Sequence, residues 1–394
     1  MAICHSREGG KVCFARPSTL DPRPSTLDPR PSTLDPRTCY ILRVMTFNPD
    51  AIQIVFPYAY GQPASTGCLR TQAEDFFVEE QLSFAPAGEG EHVLVFIEKR
   101  EFNTDDIARS LARHLGLHNR DVSYAGLKDR CAVTRQWFCL TLPGKPTPDS
   151  FGLPEGARVL QVARHHRKLK KGGLKANRFV LRIRNLQGDK DDIERRLQSI
   201  MAHGVPNYFG EQRFGRERRN LILADKLFDR AIRPKRHQQG LYISAARSWL
   251  FNLVLAERVR QACWNQPLPG DAFMFDDSLQ YFVEATIGDE TQTRLDHLQI
   301  HPSGPLWGRG QDFLCAEALA LETQILQPYQ DWCEALQGLG LKQQRRSFRL
   351  LPQTMQYEWL GDSCLQLCFT LPRGTYATSI MRELFIDQGA ISSG

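Results

Sequence analysis

The chain has 394 residues, of which 42% are hydrophobic and 24% charged, and its net charge is +6. This composition is ordinary for a globular protein of two or three domains. No apolar run approaches the roughly 18 residues that span a membrane, and the N-terminus has no apolar segment of signal-peptide type. The 11 cysteines show neither zinc-ligand nor disulfide spacing, so we expect free thiols in a reducing cytoplasm.

A repeat dominates the N-terminal part of the chain. The sequence RPSTLDP occurs three times in 16–36, and each unit has two prolines and one large apolar residue. Two prolines per unit exclude a helix, and one leucine buries too little surface to offset chain ordering. We therefore expect 1–44 to be a disordered extension. Met45, just before the globular pattern begins, is a plausible alternative start to Met1.

Alternation and helical spacing predict four strands and three helices in the remaining sequence. The predicted strands are His92–Ile97, Arg135–Leu142, Arg178–Arg184 and Cys364–Leu371. The predicted helices run from Asn103 or Thr104 to Gly116, through Ile193, Leu197 and Ile200 to Gly204, and from Ser244 to about Arg260. Strands and helices mix without strict βαβ alternation, which favours an α/β or α+β fold with a mixed sheet.

The segment SYAGLKDR at 123–130 contains the most prominent candidate catalytic group, Asp129. This carboxylate is flanked by Lys128 and Arg130 and follows Gly126, which indicates a tight turn surrounded by cations. An ionised carboxylate in a pocket can act as a nucleophile, or as a base toward a sugar carbon. The alternative for the triplet alone is an ordinary solvated surface turn.

Several longer motifs occur around this segment. They are YAGLKDRCAVTRQW at 124–137, EDFFVE at 74–79, KL at 168–169 with GLKANRF at 173–179, PNYFGEQRFG at 206–215, and LPRGTYATS at 371–379 with REL at 382–384. Together they closely resemble the motifs of the tRNA pseudouridine synthase D family, in family order, from about Cys68 to Phe385.

The resemblance implies an isomerase that converts uridine to pseudouridine at position 13, in the D-stem region of tRNA. Asp129 matches the essential aspartate of the family. The N-glycosidic bond breaks, uracil rotates, and C5 joins C1′. Attack on the ribose, attack on the base and removal of a ribose proton all stay open as the first step. The reaction is redox-neutral, and we expect no cofactor, since the sequence has no nucleotide-binding loop and no HExxH motif.

The resemblance also assigns substrate-binding residues. Asn177 and Phe179 match the amide and ring beside the target uracil, since an extruded base needs both an aromatic face and hydrogen bonds. The alternative for Phe179 is packing in the core, as its alternation with Leu181 suggests. Lys128 is also assigned to the substrate-binding residues.

Two arginines are further candidates for the substrate site. Arg382 has a guanidinium able to pair with Asp129 across the site, and its alternative is a solvated helix charge. Arg70 stands where the family usually has a lysine near the catalytic acid. Arginine keeps the charge of lysine but not its geometry.

Basic clusters suggest contacts with the RNA backbone. We assign this role to Arg164, Arg167, Lys168, Lys170, Lys171 and Arg213. Three further basic groups are Arg216 with Arg218 and Arg219, Arg233 with Lys235 and Arg236, and Lys342 with Arg345, Arg346 and Arg349. The alternative is an ordinary solvated face. His165, His166 and His203 show no ligand spacing, so we expect no metal.

By family likeness, 45–205 and 352–394 form a discontinuous pseudouridine-synthase catalytic domain with a central mixed sheet. An α/β domain, 206–351, is inserted between them. We expect tRNA as the partner, with no membrane and no obligate protein partner. A non-catalytic RNA-binding protein on the same fold and a hydrolytic N-glycosidase that releases uracil are the two other functions considered.

Overall fold

The alternating run at 178–184 lies within Leu174–Gln187, a strand at the centre of a large mixed sheet in a computed structural model. The structure describes residues 55–276, 278–310 and 313–389, all of which belong to the unit Phe47–Gly394. The predicted extension 1–44, with its repeat and Met45, lies outside the described residues.

The described strands are β1 Thr66–Cys68, β2 Phe76–Leu82, β3 His92–Arg100, β4 Val122–Tyr124, β5 Val133–Thr141, β6 Ala157–His165, β7 Leu174–Gln187, β8 Val205–Pro206, β9 Ala272–Phe275, β10 Tyr281–Val283, β11 Ile300–Leu306, β12 Gln344–Ser347, β13 Arg349–Leu350, β14 Gln353–Trp359, β15 Leu365–Pro372 and β16 Ile386–Asp387. The described helices are α1 Thr104–His114, α2 Lys190–His203, α3 Arg219–Phe228, α4 Arg236–Arg260, α5 Asp289–Asp296, α6 Ala316–Leu326, α7 Gln330–Gly338 and α8 Ala377–Leu384.

The large sheet has the order β14-β15-β7-β2-β5-β3-β6, with β1, β4 and β16 attached at its sides. Strands β2 and β5 are parallel, as are β1 and β16, whereas the other pairs of this sheet are antiparallel. The predicted mixed sheet is therefore confirmed. Strand β7 buries one face in the apolar cluster that contains Phe179, Leu181 and Ile183, and Leu174 at its start packs in a second cluster.

Two of the three predicted helices have the expected boundaries. Helix α1 buries Ile107 and Leu111, and Gly116 follows it with a φ of +61°, a left-handed conformation that glycine adopts readily. Helix α2 begins after Asp189, whose carboxylate accepts a hydrogen bond from the Asp191 backbone.

The predicted start of α4 at Ser244 is wrong. The helix begins at Arg236, directly after Lys235, and Ser244 lies in its interior. Its first turn, 236–239, carries only exposed or half-buried polar side chains and shows no apolar periodicity, and Gly240 resembles a helix break.

A second sheet, of order β10-β9-β11-β12, comes from residues 272–347, and β8 pairs separately with β13. Helix α4 packs against β11 and forms the centre of a third apolar cluster around Trp249. The division into 45–205 with 352–394 and 206–351 stays a prediction. Within the described part of the chain, no helix combines the length and apolar character that crossing a membrane requires.

Candidate active site

The loop between β4 and β5 carries Asp129, and buried side chains fix its backbone. The Thr104 hydroxyl accepts a 3.0 Å hydrogen bond from the Lys128 backbone N–H and donates one of 2.8 Å to Gln136 Oε1. The Gln136 amide in turn donates to the Gly126 carbonyl over 3.2 Å. Because Thr104 and Gln136 lie on α1 and β5, two regular elements determine the position of the loop.

The Asp129 side chain is 42% exposed, and Arg70 Nη2 lies 2.9 Å from its Oδ2. The Arg70 guanidinium also lies 4.1 Å from the centroid of the Phe76 ring, on the first residue of β2. Arg70 itself has a φ of +59°, an uncommon left-handed conformation for a residue with a Cβ. Contacts with the Phe76 ring and the Asp129 carboxylate therefore orient the Arg70 guanidinium.

The hypothesis that Arg382 pairs with Asp129 is wrong. Arg382 Nη2 donates a 2.6 Å hydrogen bond to the Phe56 carbonyl, and its guanidinium lies 4.4 Å from the Tyr58 ring and 4.8 Å from the Tyr208 ring. The position of Arg382 on α8 directs it toward the segment before β1, whereas Arg70 supplies the ion pair to Asp129.

The Lys128 side chain is turned into the protein. It is 7% exposed, and its Nζ lies 3.2 Å from Oε2 of the fully buried Glu80 side chain. A second buried lysine, Lys99, donates to the Phe102 carbonyl at 2.5 Å and to the Asp129 carbonyl at 3.4 Å. Burial, with the nearby charge of Lys128, lowers the pKa of Lys99 to about 8. Both lysines thus hold the Asp129 loop in place from its buried side, Lys128 by its ion pair with Glu80 and Lys99 by its hydrogen bond to the Asp129 carbonyl.

Phe179 lies in the core, as the alternative interpretation expected. It is 8% exposed, stacks on Phe369 with centroids 5.5 Å apart, and meets Phe76 edge to face at 6.3 Å. Contacts therefore run from Asp129 through Arg70 and Phe76 to Phe179. The sequence contained a signal for Phe76, the aromatic residue of the EDF motif, but its role becomes evident only in the fold.

Asn177 lies two residues before Phe179 in β7 and is half-buried. It pairs with Glu80 of β2 on one side and Leu371 of β15 on the other. Its Oδ1 atom is buried and receives no hydrogen bond from the described residues. Asn177 and Phe179 share a face of the strand, as expected from their spacing.

The loop between β6 and β7, residues 166–173, is basic and lies against the loop of Asp129. The Ser123 hydroxyl donates to the Leu169 carbonyl at 2.9 Å, and the Gly172 N–H donates to the Ala125 carbonyl at 2.7 Å. The exposed cations of this loop are Arg167, Lys170 and Lys171. The structure therefore places three of the predicted RNA-binding residues on a loop that is hydrogen-bonded to the segment 123–125, just before Asp129.

Other predicted RNA-binding residues make internal contacts. All three guanidinium nitrogens of Arg164 donate within the protein, to Thr147, Gly90 and Lys145. Lys168 donates to the Arg120 carbonyl at 2.6 Å. Arg213 donates to the Ser244 hydroxyl at 3.0 Å and to the Tyr376 hydroxyl at 2.5 Å.

The interpretation of the last basic group as an RNA surface is wrong for three of its four members. Arg345 is buried against Glu322, Arg346 donates to the Gly374 carbonyl at 2.8 Å, and Arg349 donates to the Asn265 carbonyl at 2.6 Å. Long arginine side chains can enter the interior when carbonyls and carboxylates receive their N–H groups. Lys342 stays exposed.

A cavity of about 390 Å³ lies between the PNYFG motif and the C-terminal motif. Its lining includes Phe56, Tyr208, Phe209, Gln212, Tyr376 and Arg382. The sequence patterns did not single out Tyr376 as a lining residue. It lies four residues after Pro372, where β15 ends, and Leu371 of that strand end pairs with Asn177. In the described ranges, no three His, Cys, Asp or Glu side chains are placed to hold a metal ion.

Comparison with known proteins agrees with this arrangement of motifs. The family model of tRNA pseudouridine synthase D (TruD) matches residues 55–232 and 226–384. A tRNA pseudouridine synthase D of Hydrogenovibrio crunogenus is 46% identical over 333 residues, covering 84% of this chain and 96% of its own. A tRNA pseudouridine synthase D of Nitrosococcus oceani is 46% identical over 347 residues, covering 87% of this chain and 97% of its own.

A crystal structure described as a putative tRNA pseudouridine synthase D from Methanosarcina mazei has the same fold. Its TM-score is 0.64 at 21% identity, and the match covers 85% of this chain and 97% of that one. With a family model and near-full-length relatives in agreement, the chain belongs to the tRNA pseudouridine synthase D family.

Proposed function

We propose that this chain isomerises uridine to pseudouridine at position 13 of tRNA, with Asp129 as its catalytic carboxylate. The observation that carries the proposal is the placement of Asp129. Its carboxylate is half-exposed on a loop fixed from beneath, and Arg70 orients it. A carboxylate that is both accessible and fixed in position can react with a bound nucleotide without first reorganising.

The reaction rearranges bonds within one nucleotide. The bond between C1′ and N1 breaks, uracil rotates, C5 bonds to C1′, the C5 proton leaves, and N1 gains a proton. Atoms and electrons balance without an oxidant, a reductant or a second substrate. Asp129 would act at the first step, by attacking the ribose or the base or by removing a ribose proton.

Asn177 would bind the extruded uracil, and Phe179 would form part of the wall beside it. The amide offers hydrogen bonds to the edge of the base, and a ring offers a face on which it can stack. Phe369 covers one face of Phe179, so only the limited exposed part of the ring could meet the base. We therefore assign Phe179 mainly the task of shaping the wall of the site.

The exposed basic loop would bind the tRNA backbone beside the target nucleotide. Arg167, Lys170 and Lys171 are exposed on a loop bonded directly to that of Asp129. Cations at this position attract phosphates without reading the base sequence. Backbone contacts would thus position the RNA, and the catalytic pocket would select the uridine.

The test is pseudouridine mapping on an unmodified tRNA transcript, by carbodiimide treatment and primer extension. Wild-type protein should produce a stop at position 13, and Asp129→Asn should produce none while binding tRNA with similar affinity. Asp362→Asn, which changes an exposed acid after β14, is the matched control and should stay fully active. Turnover by Asp129→Asn within about tenfold of wild type, or ~1.4 kcal/mol of barrier, would exclude the catalytic role.

The same assay separates the two alternative functions. A non-catalytic RNA-binding protein would bind the transcript but give no stop with any variant. An N-glycosidase would release free uracil and leave an abasic site, which chromatography of the small-molecule fraction detects. A stop at another uridine would retain the isomerase activity but exclude position 13.

A further inference from the structure

A second carboxylate, Glu80, is buried near the loop of Asp129, and the proposed reaction does not use it. Its side chain in β2 has no exposed surface, and Lys128, only 7% exposed, is its ionic partner at 3.2 Å. Burial raises the pKa of Glu80, and the charge of Lys128 opposes that rise. Apolar side chains of similar size often stabilise a buried position as well as an ion pair does. Stability alone therefore does not account for this pair.

The ion pair holds the residue next to Asp129. The Lys128 backbone N–H donates to Thr104 at 3.0 Å, and its side chain ends at Glu80. Lys128 is thus fixed at its backbone and at the tip of its side chain. Since Asp129 follows directly in the chain, any movement of Lys128 would displace the carboxylate.

Glu80 also lies beside the proposed uracil-binding strand. It is directly opposite Asn177 in the antiparallel β2–β7 ladder, and Val78 is opposite Phe179 in the next row of the same face. Opposite residues in such a ladder have Cβ atoms about 4.5–5.5 Å apart. Asn177 Oδ1 is buried and receives no hydrogen bond from the described residues, whereas Glu80 has the Lys128 ammonium as its partner at 3.2 Å. The ladder thus places an amide, whose N–H2 group is a donor, opposite a carboxylate that can only accept when ionised, so the charge of Glu80 can set the orientation of the amide.

We propose that Glu80 is a positioning residue that joins the loop of Asp129 to the strand of Asn177. Through Lys128 it fixes the carboxylate, and through Asn177 it fixes the amide that faces the base. It does not touch the substrate, since it has no exposed surface. The inference rests on the proposed roles of Asp129 and Asn177.

The test compares Glu80→Gln with Glu79→Gln. Glu79 is the neighbouring residue of β2, on the opposite face, and pairs with Arg135 at 2.9 Å. Both changes remove one paired charge at constant size. We expect Glu80→Gln to lower the single-turnover rate at saturating tRNA by at least about 30-fold, with a Kd for tRNA within about threefold of wild type. Glu79→Gln should keep both quantities within about threefold.

Hydrogen–deuterium exchange gives a readout that does not depend on turnover. Amides of 123–131 should exchange faster in Glu80→Gln than in wild type and be unchanged in Glu79→Gln. A rate for Glu80→Gln within about threefold of wild type, or equal losses in the two variants, would overturn the proposal.

A double variant covers the case in which Glu80→Gln fails to fold. Glu80→Leu with Lys128→Met replaces the ion pair by apolar residues, which should preserve folding. We expect it to fold and react slowly, and wild-type turnover by the folded double variant would overturn the proposal. Asp129→Asn is measured alongside. If Asp129→Asn is active while Glu80→Gln is slow, the catalytic role proposed for Asp129 is excluded, and this outcome is distinct from a failure of the role proposed for Glu80.

Discussion

Glu383, at the end of α8, provides a prediction about stability and pH. Its side chain is buried, and its Oε2 accepts hydrogen bonds from the Ala59 and Tyr60 backbone N–H groups at 3.0 and 3.3 Å. Burial raises the pKa of Glu383 to about 7 from an ordinary 4.5, even though the charges of Arg382 and Arg196 oppose the rise. The folded state therefore holds this proton at a pH where the unfolded state has already lost it.

The sign of the effect follows from proton binding. Between pH 4.5 and 7 the folded protein binds more protons at Glu383 than the unfolded chain, so the free energy of unfolding falls as pH rises through this window. A shift from 4.5 to about 7 corresponds to about 3 kcal/mol, at ~1.4 kcal/mol per unit. This contribution is present at pH 4.5 and below and is lost by about pH 8.

Glu383→Gln removes the titration and leaves an oxygen that can accept the same two backbone hydrogen bonds. We expect the stability difference between variant and wild type to shift by about 3 kcal/mol in favour of the variant between pH 4.5 and 8. Urea unfolding of both proteins at the two pH values measures this shift, and any constant effect of the substitution cancels. Glu358→Gln, at an exposed position of β14, should show no shift. A shift below about 1 kcal/mol for Glu383→Gln would refute the reasoning.

Three further predictions concern the candidate site. Arg70→Lys keeps a cation beside Asp129 but loses the planar group over the Phe76 ring, so it should retain more turnover than Arg70→Gln, which should lose at least about tenfold in the mapping assay. Replacing Lys170 and Lys171 by Glu should weaken tRNA binding and reduce its log–log salt slope by roughly 0.7–0.9 for each phosphate that the protein no longer neutralises. Phe179→Leu removes two aromatic contacts and should lower the free energy of unfolding in urea by about 1–3 kcal/mol.

Each of these predictions has a contrary outcome. Full activity of Arg70→Gln would show that the ion pair to Asp129 is dispensable. Lys226→Glu, at an exposed position of α3, is the control for binding, and an equal effect on the salt slope would place the RNA elsewhere. Unchanged stability of Phe179→Leu would mean that the stacking on Phe369 contributes nothing measurable.

Elements with strong local patterns could be predicted from the sequence. The alternation around Phe179 and Leu181 correctly gave one buried face of β7, because a strand with a period of two leaves its pattern in consecutive residues. Glycine at 116 correctly marked the end of α1. The start of α4 could not be predicted, because its first turn is polar on all sides and Gly240 follows it.

The site was predictable only where the motifs were local. Asp129 could be identified within one motif, but its partner could not, because Arg70 lies 59 residues away and the ion pair depends on the fold. Arg345, Arg346 and Arg349 resemble a basic surface in sequence. Their burial depends on carbonyl and carboxylate groups contributed by distant parts of the chain.

The position of β15 beside β7 has a consequence for synthesis of the protein. Phe369 covers Phe179 across the ladder, yet the roughly 180 residues between the two strands need on the order of 10–40 s of translation at about 5–20 residues per second. During that time a nascent chain has made β7 but not β15, so one edge of that strand is unpaired. Ribosome-bound fragments that end before Leu365 should therefore recruit chaperones or aggregate more readily than fragments that include Pro372.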